Sequence, residues 1–134
     1  MMKKLAWDES LSVDVDEIDE DHRRLVDLFN LLSQSVADGD SADYIAALLE
    51  ELISCTEWHF RHEERLMLLY NYDEVDDHKA EHSALISSVR DLQQHFKAAS
   101  RSLTQQEIEY LAGWLTGHIL GHDMRLGFFL MKAM

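Results

Sequence analysis

At 134 residues with a formal charge of −14, the chain is long enough for one buried core and too acidic to bind nucleic acid or an anionic membrane surface, whose phosphates would repel it. It has no proline, five glycines and one cysteine, so long uninterrupted helices suit it and an internal disulfide is excluded. No run of about 18 apolar residues is present, and the two lysines near the start have no apolar stretch behind them, so the expected compartment is the cytoplasm.

Residues 1–16 read as an irregular acidic arm with Trp7, Leu11, Val13 and Val15 as packing anchors. A first helix is expected over 17–37, with Ile18, His22, Leu25, Phe29, Leu32 and Val36 along one stripe. Asp38-Gly39-Asp40 is its stop signal. A second helix, 41–70, carries Ile45, Leu49, Leu52, Thr56, His59, Glu63, Leu66 and Tyr70 on its stripe. Cys55 beside that stripe reads as an ordinary buried thiol. Asn71-Tyr72-Asp73 is a turn, with Asp73 the expected N-cap of a third helix reaching about Ala99. Its stripe runs Val75, His78, His82, Leu85, Val89, Leu92, Phe96. Residues 100–103 link to a fourth helix, opened by a Thr104/Glu107 capping box and continuing to about Met131, with Leu111, Leu115 and His118 inward. Four such helices on short connections imply a single all-α domain over 1–134, an up-down-up-down antiparallel four-helix bundle over 17–131 behind the arm.

Apolar stripes need no explanation beyond a core; the histidines and carboxylates set into them do. A buried ionisable group costs several kcal/mol unless it is paired or ligates a metal. His59 and Glu63 lie four apart on one helix, and His78 and His82 four apart on another, so each pair points to one side and can grip one ion. His22 and His118 add a histidine from each remaining helix. On the fourth helix simple geometry favours His122 as the partner of His118, since five residues turn a side chain about 140° away. Yet the His122 line runs into Arg125, whereas Asp123 sits alone on the otherwise apolar line Leu115, Ile119, Leu126, Leu130. That isolation favours Asp123. Six or seven ligands are too many for one tetrahedral zinc, and imidazole with carboxylate suits iron or manganese, with carboxylates able to bridge two ions.

His22 in IDEDH, HFRHEE with His59 and Glu63, His78-Lys-Ala-Glu-His82, and WLTGHILGHD with His118 and Asp123 together resemble the hemerythrins, most of all the single-domain bacterial members. The likeness runs from Trp7 to about Leu130. It implies one iron held by His78, His82 and His118 and a second by His22 and His59, bridged by Glu63, Asp123 and an oxo or hydroxo group. It also implies an open position on the second iron at which dioxygen binds reversibly, for oxygen storage, delivery or sensing, in a protein that is not an enzyme. Leu115, Ile119, Trp114 and Phe60 are the expected lining of the oxygen pocket. Glu81 and Asp19 are candidate partners for the ligands' second ring nitrogens, and His62, His95 and His122 are expected at the periphery. The turn at 71–73 lacks the proline often found there, and the His22 to His59 spacing exceeds that of the animal oxygen carriers. Two competing readings remain: a di-iron enzyme reducing peroxide or nitric oxide, made less attractive by the lack of a proton relay on the core seam, and an iron- or redox-responsive regulatory module.

Overall fold

The computed structural model describes residues 4–100 and 102–134, so residues 1–3 of the arm and residue 101 of the last link lie outside the described residues. Helices α1 (Asp16–Ala37), α2 (Ala42–Leu69) and α3 (Val75–His95) are followed by a rod made of α4 (Gln105–His118), a π turn (Ile119–Asp123) and α5 (Met124–Ala133). Among the described residues there is no strand, and the four rods form the expected bundle. No helix among the described residues is long and apolar enough to cross a membrane.

The helix ends follow local chemistry. Gly39 (φ 70°) and Asn71 (φ 58°) take the left-handed conformation just past α1 and α2. The N–H groups of Asp40 and Tyr72 then reach back to the carbonyls of Ser35 and Met67, capping carbonyls the helices leave free. Ser41 caps α2 through its hydroxyl, and the Thr104/Glu107 box opens α4 as expected. The expected Asp73 cap does not form. Helix α3 starts at Val75 behind Glu74, which makes no side-chain cap. The left-handed Asn71 drops Tyr72 into the core at 5% exposure, which uses up the turn and delays the helix start. The α-helical pattern of α3 ends at His95, and the rod continues as a π turn over Phe96–Ser100, which carries it past the expected end near Ala99.

The core divides into two apolar clusters. Phe29, Leu49, Ile53, Phe96 and Leu111 belong to one; Ile18, Met67, Leu126 and Leu130 belong to the other, together with Val13 and Val15 of the arm. The arm contributes a short 3-10 turn (Glu9–Leu11) and is pinned by Asp19, which accepts from Ser12 Oγ (2.6 Å) and the Val13 N–H (2.8 Å). Trp7 packs on the first cluster, as does half-buried Cys55. Between the two clusters along every rod lie the buried polar residues.

Candidate metal centre

His22, His59, Glu63, His78, His82, His118 and Asp123 are all 4% exposed or less, and they meet in one layer. Their donor atoms fall into two overlapping groups, each within 4.8 Å: His78, His82 and His118 with Glu63 and Asp123, and His22 and His59 with the same two carboxylates. All seven positions expected from the sequence converge. The π turn explains how Asp123 joins His118 from five residues away. Met124 N–H bonds to the carbonyl of Ile119, five back rather than four, and the extra residue turns Asp123 inward. His118 Nε2 and Asp123 Oδ1 come to 2.8 Å.

Three ring nitrogens are anchored from behind by carboxylates. Asp21 Oδ2 faces His59 Nδ1 at 2.9 Å, Glu64 Oε2 faces His82 Nδ1 at 2.9 Å, and Glu81 Oε1 faces His118 Nδ1 at 2.7 Å. An ionised carboxylate only accepts, so each Nδ1 donates its proton outward and each Nε2 presents a lone pair to the cage. Burial raises the Asp21 carboxyl, but His59 and His62 outweigh it and hold Asp21 below the usual carboxylate range. Of the two candidate partners read from sequence, Glu81 takes this role and Asp19 serves the arm instead. Asp21 and Glu64 were missed; each lies one residue from a ligand, a position that carries no periodic signal.

The peripheral histidines extend these anchors. Asp21 Oδ2 also accepts from His62 Nδ1 (2.6 Å), and Glu81 from His122 Nδ1. Hydrogen-bonded chains therefore lead outward from His59 and His118, which the helical pattern did not reveal. They attach on the Nδ1 side, away from the cage, so a proton on them would have to pass through the ligand ring itself. Their geometry suits orientation. His95 is exposed, as expected.

The donor set fits cations. With Nδ1 protonated, Nε2 of His118, His82 and His59 confronts carboxylate oxygens at 2.8, 3.0 and 3.2 Å, lone pair against lone pair. Such contacts are repulsive unless a proton or metal ion lies between. His59 Nε2, His118 Nε2 and Glu63 Oε2 are buried with no hydrogen-bond partner among the described residues. Without a metal, protons take that place. Burial lowers His78 and His118, but the contacts with Asp123 and Glu63 win and raise them to about 9 and about 10. Burial raises Glu63, and the surrounding histidines outweigh it and hold it well below the usual carboxylate range. Burial and Glu63 both raise Asp123, and His118 and His22 reverse them.

Aromatic and aliphatic groups close one side. Phe60 stacks on His82 (centroids 3.7 Å apart, planes 5° apart) and stands 5.1 Å from His118 and 6.3 Å from Trp114. Leu115 and Ile119 are buried in the adjoining apolar cluster, and the Trp114 indole N–H is buried without a partner among the described residues.

The family described as hemerythrin HHE cation binding domain matches residues 13–127. A bacteriohemerythrin of Methylococcus capsulatus is 32% identical over 109 residues, 81% of this chain and 82% of the relative. A myohemerythrin of Theromyzon tessulatum is 30% identical over 119 residues, 89% of this chain and 88% of the relative. A crystal structure of wild-type hemerythrin superposes with a TM-score of 0.85 at 30% identity, covering 92% of this chain and 95% of that one.

Proposed function

This chain belongs to the hemerythrin family, and from that premise we propose that it binds dioxygen reversibly at a di-iron centre, as a cytoplasmic oxygen-storing, delivering or sensing protein and not an enzyme. The observation that carries the reading is the unequal division of the cage. Glu63 and Asp123 belong to both donor groups, but one group has three histidines and the other two. His78, His82 and His118 would hold one iron and His22 and His59 the second, with Glu63, Asp123 and an oxo or hydroxo group bridging them. The two-histidine side offers one protein donor fewer, so an iron held there would have room for an exogenous ligand. Iron, when bound, supplies the electrons that let a neutral diatomic gas be held at that position.

The protein's own part is to orient and to exclude. Asp21, Glu64 and Glu81 fix three imidazoles in the tautomer that aims Nε2 inward. Phe60, Trp114, Leu115 and Ile119 are the proposed pocket wall, keeping out water and protons that would turn reversible binding into oxidation. The names of the bacterial and animal relatives support the reading. It is tested by loading the protein with ferrous iron without air, admitting air and then removing oxygen. A visible band that appears and bleaches over repeated cycles is the expected result. A band that never bleaches, or steady turnover of peroxide, overturns the reading.

A further inference from the structure

The seven cage side chains are 4% exposed or less, so a cation needs a way in. One course of donors descends to them from the surface. Glu17 and Asp21 lie four residues apart on α1, and both face His62 of α2. His62 Nε2 is 3.6 Å from Glu17 Oε1, and His62 Nδ1 is 2.6 Å from Asp21 Oδ2. Asp21 Oδ2 stands in turn 2.9 Å from Nδ1 of the cage histidine His59. Side-chain exposure falls in the same order: 46% for Glu17, 15% for His62, 12% for Asp21 and 1% for His59.

The donor types suit a divalent ion. Donor atoms of Asp21, His59 and His62 lie within 4.8 Å of one another. A neutral imidazole carries one N–H, and His62 has a carboxylate beside each nitrogen. When that N–H points to Glu17, the Nδ1 lone pair and Asp21 Oδ2 face each other, a contact that a cation between them relieves. One imidazole and one carboxylate, completed by water, hold an ion loosely, as a relay requires. Outside, Asp14, Asp16 and Glu17 line one groove, and a cleft with charge of one sign concentrates counter-ions. The other outward chain, Glu81 with His122, has a single carboxylate, and Arg125 opposes positive charge there.

We propose that Glu17, His62 and Asp21 form a capture site through which divalent cations reach the two-histidine side of the cage. His59 belongs to both ends of the step: its Nδ1 faces Asp21, and its Nε2 is 3.2 Å from Glu63 Oε2. A swing of that one side chain carries an ion from the capture pair to Glu63. The inference rests on the cage being a cation site, and not on what a bound metal does with oxygen.

The test is the rate at which the metal-free full chain takes up cobalt(II), a divalent probe, followed by visible absorption after rapid mixing. His62→Gln removes no carboxylate and is expected to slow uptake by at least about tenfold. Glu17→Gln slows it to a smaller degree and reaches the same final count of ions. Glu9→Gln, which removes the same charge from the arm, leaves the rate unchanged. Release to a chelator slows by the same factor as uptake in both His62→Gln and Glu17→Gln, because a path used in both directions leaves the equilibrium where it was. Uptake as fast in His62→Gln as in the native chain overturns the proposal. Equal slowing by His122→Gln overturns it too, by placing the entrance elsewhere. A His62→Gln chain that fills at the native rate but loses cobalt faster makes His62 a support of the cage and overturns the capture role. A native chain that takes up no cobalt overturns the metal centre itself, and the proposal with it.

Discussion

Three of the five histidine ligands, His59, His82 and His118, have two kinds of partner: a carboxylate behind Nδ1 and the shared Glu63/Asp123 pair in front of Nε2. Protons and metal compete for the front position, which fixes how the metal-free protein responds to pH. His78 and His118 are held above 6.5, to about 9 and about 10, so their stabilising contribution is complete below pH 6.5 and disappears as pH rises through those values. Glu63 and Asp123 are held below 4.5 and 3.8, so theirs is present above that range and disappears in acid. Urea titrations of the metal-free chain should therefore give greatest stability between pH 4.5 and 6.5, with decline on both sides. A bound divalent ion should remove the alkaline decline. Stability that rises from pH 6.5 to 9 would contradict this scheme. The carboxylates behind the rings have their own signature: Glu64→Gln should weaken metal binding by about 10- to 100-fold with little change in fold, read from competition with a chelator. The ligands themselves were legible because they occupy apolar stripes. Their anchors were not, because Asp21 and Glu64 occupy flanks where a solvated acid is the ordinary expectation.

At the scale of the element, sequence reading succeeded where a rule is local. The capping box at Thr104 and the stop at Gly39 both depend on a few neighbouring residues, and both formed. It failed at Asp73, where a tertiary demand, the burial of Tyr72, set the helix boundary. Asp123 falls between these cases. Regular α geometry argued against it, and only its isolation on an apolar line pointed inward; the π turn is the backbone feature that reconciles the two. The contact between the arm and α5 is equally specific. A Cβ on Gly127 would lie 2.4 Å from the Val13 carbonyl oxygen, so the arm lies directly on helix backbone. Gly127→Ala should cost about 1–3 kcal/mol in chemical denaturation and leave the arm open to limited proteolysis. Thr104→Ala should cost about 1 kcal/mol and leave the arm protected. An arm equally protected in both variants would refute the close contact.

Across the molecule, the two apolar clusters act as end walls for a polar layer that neither could accommodate alone. They enclose seven buried polar side chains drawn from all four rods, and the aromatic side of that layer faces the adjoining cluster through Phe60 and Leu115. Leu115→Thr shortens the side chain and brings a hydroxyl to the wall. It should speed oxidation of the ferrous protein in air, followed as the rate at which reversibility is lost, and an unchanged rate would remove Leu115 from the lining. The bundle was readable from the sequence because four long periodic segments on short links allow few other arrangements. The exposure of Leu120 and Phe128 was not, since an apolar residue on a core helix does not by itself show which way it faces. The most direct measurement of the whole account is an anaerobic ferrous titration with iron counted per chain. Two tightly held ions in the native protein, reduced by Asp123→Ala because that carboxylate serves both donor groups, is the predicted result. A plateau at one ion, or a count that Asp123→Ala leaves unchanged, would contradict it.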